Sequence, residues 1–316
     1  MPDKGNLTSL VLQQSGITLT MTADQVTLKI ADFTFCISGS GSSLQSLRSA
    51  RYRDFLCSDR NPDIRINLGD SFRDISDISL PDEESVFDSG TVWRLYESPH
   101  SVSLVLRSPV GGPLPYRVAV FNRDLTSGEI VSIAGSDAET EDRSQYDPLE
   151  FPLSEVLMVY LLSMGKGLMI HACGISDNGR GLLFPGNSTD GKTTIAMQWR
   201  GSAKVLNDDR IILRPSARGF LMYGTPWHGD LSDVSAEGVV LESVNFLRHG
   251  DVNVSTKAAG AKAVSMLLRR SFLPLWSSSG MEFSLDLCRK LENSVPFHEL
   301  HFVPDERIVD YIRCRN

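Results

Sequence analysis

The sequence predicts an α/β (α+β) chain in two parts. Residues 1–150 read as a mainly antiparallel β region, and residues 151–316 as an α/β core with C-terminal helices. Three observations carry this expectation. Apolar and polar residues alternate at period two through the first part, the mark of strands with one buried face. A helical pattern opens the second part directly after an acidic, aperiodic stretch. From Gly181 to Trp199 an apolar run then passes through a glycine-bounded loop into another helical pattern.

In the first part, Ile17, Leu19 and Met21 alternate with threonines, and Val26, Leu28 and Ile30 alternate with Thr27 and Lys29. Val102, Leu104 and Leu106 repeat the pattern, as do Tyr116, Val118 and Val120. Clusters such as SGSGSS (38–43) punctuate the strands. The polar stretch GSDAETEDRSQYDPLE (135–150) reads as a loop and as the boundary between the parts. After it, Leu153, Val156, Leu157, Tyr160, Leu161 and Met164 share one helical face, which Gly165 and Gly167 end. LMIHACGIS (168–176) reads as a buried strand, Asn178-Gly179 as a hairpin turn and GLLFP (181–185) as the return strand. AKVLNDDRIILRP (203–215) reads as strand, acidic bend, strand. Lys257 to Arg270 and Ser279 to Leu291 read as helices, PFHELHFVP (296–304) as a strand and DERIVDYIR (305–313) as a short last helix.

Composition sets bounds on function. The chain has 316 residues, a formal charge of −8 and a pI near 5.3. An acidic surface argues against nucleic acid or an anionic membrane as the main partner. No apolar run is long enough to span a bilayer, and MPDKGNLTSL lacks the basic start and apolar block of a signal peptide, so a cytoplasmic location is expected. Cys36, Cys57, Cys173, Cys288 and Cys314 are dispersed and odd in number, which reads as reduced thiols and not as a zinc site.

The glycine-bounded loop reads G-x-x-x-x-G-K-T from Gly186 to Thr193. Backbone N–H groups of Asn187, Ser188, Thr189, Asp190, Gly191 and Lys192 can form a nest for phosphate oxygens, Gly186 and Gly191 allow the side-chain-free approach it needs, and the loop empties into a helix N-terminus that favours anions. Lys192 would reach the terminal phosphates, the Thr193 hydroxyl would hold Mg²⁺, and Thr194 follows in the first turn. ATP and Mg²⁺ are therefore the expected ligands. The bland alternative is a glycine-rich strand-to-helix turn with an incidental lysine. Asp190 beside bound phosphate is unfavourable unless it points to solvent or to a cation. The pair Asp208-Asp209 follows where a strand stops: one aspartate would orient Mg²⁺ and the other would accept a proton, with Asp208 assigned to the metal and Asp209 to catalysis. An ordinary Asp-rich turn, with Arg210 as its charge partner, is the alternative.

The run MIHACGISDNGRGLLFPGNSTDGKTTIA…VLNDDRIIL resembles the catalytic core of HPr kinase/phosphorylase, which carries a His-containing strand, a hairpin, a G-x-S-x-x-G-K-S-type loop and an Asp-Asp-Arg element. It is also similar to ATP-dependent phosphoenolpyruvate carboxykinases, which share the order of these elements. NDDR brings it closer to the HPr kinase-like serine kinases. The resemblance covers roughly Leu168 to Asp230. It implies a carboxykinase-like P-loop core, transfer of the γ-phosphate to a serine hydroxyl of a protein or peptide, and it allows a homo-oligomer. It also implies that His171 contacts the γ-phosphate or the acceptor, whereas on its own the residue also reads as a satisfied buried histidine.

The resemblance has departures. The N-terminal β region is unlike that of HPr kinase, and in place of an Arg-Gly-rich segment stands YGTPWHGD (223–230). These leave the acceptor and any phosphorylase reaction open. Trp227, His228 and Asp230 are candidate acceptor-side residues, with Trp227 as a core plug the alternative. Arg248 in RHGD reads as part of a solvated surface turn, with a transition-state cation as the alternative, and Arg269 and Arg270 as partners of a helix C-terminus. The function expected is an ATP- and Mg²⁺-dependent serine kinase. The alternatives are a small-molecule kinase and a nucleotide-binding regulatory protein without turnover.

Overall fold

The computed structural model describes residues 24–41, 43–69, 73–78, 84–90, 92–108, 115–134 and 147–315. The alternation at Ile17, Leu19 and Met21, and most of the 135–150 stretch, lie outside them. The fold is α+β, with two mixed sheets.

The first sheet contains β1 (Asp24–Ile30), β2 (Phe33–Gly39), β3 (Ile64–Leu68), β4 (Phe87–Asp88), β5 (Trp93–Glu97), β6 (Ser101–Leu106), β7 (Arg117–Asn122) and β8 (Ser127–Ser132). Their order is β1-β2-β3-β8-β7-β6-β5-β4. Among the described residues the pairings are antiparallel except β2–β3 and β3–β8. Period two governs β1, where Val26, Leu28 and Ile30 are buried, and β3, where Ile64, Ile66 and Leu68 are buried. One buried face is too little for β6 and β7. Val105, Val118 and Val131 form a small second core on the far face, with Ile75 and Ile78 against it.

The second sheet contains β9 (Leu168–Asp177), β10 (Arg180–Pro185), β11 (Lys204–Asn207), β12 (Arg210–Ser216), β13 (Gly219–Tyr223), β14 (Gly238–His249), β15 (Val254–Ala258) and β16 (Phe297–Phe302). Its order is β10-β9-β12-β13-β14-β16-β15, with β11 on β9. β10 also pairs β14 in parallel, so the path β10-β9-β12-β13-β14 closes on itself. The hairpin between β9 and β10 turns at Asn178 (φ 54°) and Gly179 (φ 80°), the left-handed pair that an Asn-Gly turn supplies.

Five helices complete the described chain: α1 (Leu153–Ser163), α2 (Lys192–Trp199), α3 (Gly260–Leu268), α4 (Ser278–Ser294) and α5 (Arg307–Arg315). Two expectations need correction. Lys257 and Ala258 belong to β15, not to a helix, because they pair with His298 and Phe297 of β16; the helix starts only after Ala259, which is extended. α1 is buried on most of its circumference, because Met158, Val159 and Leu162 are covered as well as the expected face, while Met164 beyond its end is exposed. A helix apolar all round belongs between two layers. The larger core cluster joins first-sheet residues, α1, and Met169, Ile212, Tyr223 and Trp227 from beyond it. Among the described residues no helix is long and apolar enough to cross a membrane. All five cysteines are free.

Candidate functional site

β9 organises the site. One of its edges carries β10; the other carries β12 against Leu168 to His171 and β11 against Gly174 to Ser176. The chain therefore leaves the ladder after Asn207 and rejoins it at Arg210, opposite His171. Asp208 and Asp209 occupy this break, and the Ala172 N–H donates to the Asp209 carbonyl at 3.0 Å. Asn207, fully buried, fixes the break. Its Oδ1 accepts from the Asp209 and Arg210 N–H groups at 2.6 and 2.8 Å. Its Nδ2 donates to the Thr225 and Trp227 carbonyls at 2.9 and 3.2 Å.

The glycine-bounded loop follows β10 and enters α2 at Lys192. Asn187, Ser188 and Thr189 are exposed. The Gly186 N–H donates to the His171 carbonyl at 3.3 Å, which ties the loop to β9. Gly191 has φ 97°, and a Cβ there would lie 2.7 Å from the Phe302 ring, so the position excludes side chains on two counts. Lys192, 6% exposed, donates from Nζ to the Asn187 carbonyl at 2.9 Å. Burial pulls its amine below the usual range, against the opposing charges of Asp209, Asp190 and Asp208. The Asp190 carboxylate accepts from the Asn187 N–H at 2.7 Å and faces Arg270 at 3.4 Å, so of the two orientations expected it takes the cation.

At the first turn of α2 the Thr193 hydroxyl donates to Asp208 Oδ2 at 3.3 Å. Asp208, 1% exposed, also accepts the Gly229 N–H at 2.8 Å and the Leu231 N–H at 3.1 Å. Asp209 Oδ1 lies 2.7 Å from His171 Nε2, and its Oδ2 accepts from Arg210. Arg210 in turn meets Glu155 of α1 at 2.7 Å. Burial opposes ionisation of Asp209, but the His171 hydrogen bond and the charges of Arg210, His171 and Lys192 outweigh it, and the carboxyl is held below 3.8. Glu155 goes the other way: its burial outweighs Arg210 and raises its pKa.

The fold thus brings Gly186 to Thr193, Asp208, Asp209 and His171 to one end of β9 and β10. His171 is not a fully buried histidine; its side chain is 28% exposed and paired with Asp209. Arg210 is the charge partner of Asp209 that the bend suggested. Trp227 is a correction. It is 6% exposed and belongs to the larger core, because the loop turns its ring inward while the carbonyl reaches Asn207. His228 is half-buried with Nδ1 on the neighbouring Gly229 carbonyl, and Asp230 is exposed. The loop from Gly224 onward meets the acidic bend through backbone N–H groups, not through these side chains.

Four residues escaped the sequence reading. Arg270 closes α3 as expected, donating to Met266 O at 3.1 Å, but it also reaches Asp190, eighty residues away in sequence. His249, in RHGD, donates to the Thr189 carbonyl at 2.8 Å and stacks on Phe302. Asn207 stands one residue before the acidic pair, and Glu155 is a single acid inside an apolar helix; both were signals in plain view. A separate cavity of about 270 Å³, lined by Asp32, Phe33, Lys166 and Arg214 among others, shares no residue with this site.

Comparison with models of protein families and with curated proteins gives no match to this chain. The chemistry rests on the site itself. Thr193 and Asp208 are oxygen donors suited to a hard divalent ion. No group of three or more His, Cys, Asp or Glu side chains poised for a metal exists among the described residues. Mg²⁺ on a nucleotide does not need one, since it takes one or two protein oxygens and completes its shell with phosphate and water.

Proposed function

We propose that the chain is an ATP- and Mg²⁺-dependent phosphotransferase, with residues 168–230 forming a carboxykinase-like P-loop core. One observation carries the reading: across 15 residues of sequence, the Thr193 hydroxyl meets the Asp208 carboxylate at the mouth of the loop, with Asp209 next in the chain. A glycine-rich turn with an incidental lysine has no reason to bring a hydroxyl and a buried carboxylate together there. The acceptor class, a serine hydroxyl of a protein or peptide, follows from the motif resemblance.

The loop amides and Lys192 bind and orient the phosphates, and catalysis is chiefly positioning and charge stabilisation. When bound, Mg²⁺ would neutralise phosphate charge, with the Thr193 hydroxyl as its protein donor and Asp208 behind it. Asp208 already accepts three hydrogen bonds, so it acts through Thr193 or through water. Asp209, ionised near neutrality, accepts the proton of the acceptor hydroxyl at Oδ1, the oxygen that His171 orients. The Arg210–Glu155 pair fixes its other oxygen. One observation favours the non-catalytic alternative: both Asp209 oxygens already have cationic or N–H partners.

Calorimetric titration with Mg·ATP tests the donor site. Wild type binds, and Lys192→Ala, which removes the cation from the loop, binds at least tenfold more weakly, about the scale of one charge-assisted contact. Absence of binding by wild type, or equal binding by Lys192→Ala, contradicts the reading.

A further inference from the structure

Asp190 stands immediately before Gly191-Lys192, where a negative charge opposes the anion the loop would hold. Its carboxylate is not turned away. Oδ2 accepts the Asn187 N–H at 2.7 Å, one of the amides that would otherwise face phosphate. The same oxygen lies 3.4 Å from Arg270, longer than the 2.7–2.9 Å of a strong charge-assisted bond. Arg270 is itself 7% exposed, and its Nε has no hydrogen-bond partner among the described residues. Its Nη1 donates to the Met266 carbonyl at 3.1 Å and its guanidinium carbon lies 5.6 Å over the Phe246 ring, so what is left under-satisfied is Nε and the long contact of Nη2, the nitrogen that faces the loop. The loop closes on itself elsewhere too: Lys192 Nζ holds the Asn187 carbonyl, and His249 holds that of Thr189.

We infer that Asp190 is a resident anion of the loop, holding the Asn187 N–H and facing Arg270 until the terminal phosphate of a nucleoside triphosphate takes its place on both groups. Arg270 is then a phosphate-binding residue, and Asp190 a competitor built into the chain that weakens binding. The inference rests on the phosphotransferase reading and specifies which of its side chains meet the terminal phosphate. A terminal phosphate brings more negative charge and more acceptor oxygens than a carboxylate, so exchange completes the pairing that Arg270 lacks. Nucleoside diphosphate, which ends one phosphate short, gains less from the exchange.

Calorimetric titration of the full chain with Mg·ATP, Mg·ADP and metal-free ATP separates the possibilities. Asp190→Asn keeps an acceptor for the Asn187 N–H but removes the charge. It is expected to bind Mg·ATP about tenfold more tightly than wild type, the scale of one charge-assisted bond exchanged, with a smaller gain for Mg·ADP. In Arg270→Gln the gain from Asp190→Asn shrinks to a fewfold or less, and a thermal melt checks that this buried site still folds. If it does not fold, Arg270→Met, which keeps the apolar stem and removes the charge, serves in its place with the same expected loss of the gain. Unchanged or weaker Mg·ATP binding by Asp190→Asn overturns the inference while the donor site stands. Weakening confined to Mg·ATP and absent for metal-free ATP makes Asp190 a metal donor and overturns it equally. Failure of wild type and variants alike to bind any nucleotide removes both the inference and the reading beneath it.

Discussion

At the scale of single residues, Asp209 shows how neighbours decide a role. A carboxylate 19% exposed among apolar strands would be pushed toward neutrality, yet His171, Arg210 and Lys192 keep it charged. The depressed pKa is a stability statement. Protons bind the unfolded carboxylate first, so the ionised pair stabilises the fold fully above the ordinary value of 3.8 and loses its contribution as the pH falls through the lower folded value. Urea unfolding of wild type and Asp209→Asn is expected to show a gap that narrows below about pH 4, the ordinary carboxylate range; a gap constant down to pH 2 contradicts the pairing. Lys192, Thr193, Asp208 and Asp209 were legible because short spacings in sequence carry their chemistry. Arg270 and His249 were not, because nothing local ties them to a loop eighty and sixty residues away. For Trp227 the sequence leaves two alternatives open, and the core plug is the one the fold takes: a tryptophan in a glycine-rich loop fills the core as readily as it lines a cleft.

Among the elements, the junction of the loop with α2 is the most constrained. Gly191 needs both a left-handed backbone and the space against Phe302, whereas Gly201 has φ 80° but open surroundings. Gly201→Ala should therefore cost only backbone strain, about 1 kcal/mol, and Gly191→Ala about 2–4 kcal/mol, with strain and ring displacement combined. Thermal unfolding compares them, and equal losses contradict the packing account. The β9–β10 hairpin was readable because Asn178-Gly179 fixes the turn by local chemistry. β15 was not: KAAGAKA has the composition of a helix, and only pairing with β16 makes its first residues extended. β14 also escaped the reading, since its partner changes along its length from β13 to β10 and β16, and no single period describes its burial.

Across the whole molecule, the two sheets divide near residue 150 but share apolar contacts across that point. Trp276, after α3, packs between Trp93 of β5 at 5.9 Å, Phe87 of β4 at 5.8 Å and Tyr160 of α1 at 6.2 Å. Three ring contacts at about 0.5–1.5 kcal/mol each predict a loss of roughly 2–3 kcal/mol for Trp276→Ala. Urea unfolding measures it, and a change within about 0.5 kcal/mol, the range of an ordinary surface substitution, contradicts the coupling. The alternation and the loop motif made β1, β6, β7, β9 and β10 foreseeable as strands; the closure of the second sheet through β10 and β14 was not, because a parallel pairing between distant strands leaves no local mark. The function proposed for this architecture meets its most direct test in transfer of label. The protein is incubated with γ-labelled ATP, Mg²⁺ and a protein extract of its source cell, beside Asp209→Asn. The account predicts label on a serine with wild type, slowed by ~10²-fold or more in Asp209→Asn, the scale of losing a general base, while that variant still binds Mg·ATP. Nucleotide binding without transfer by wild type, or equal transfer by Asp209→Asn, would contradict it.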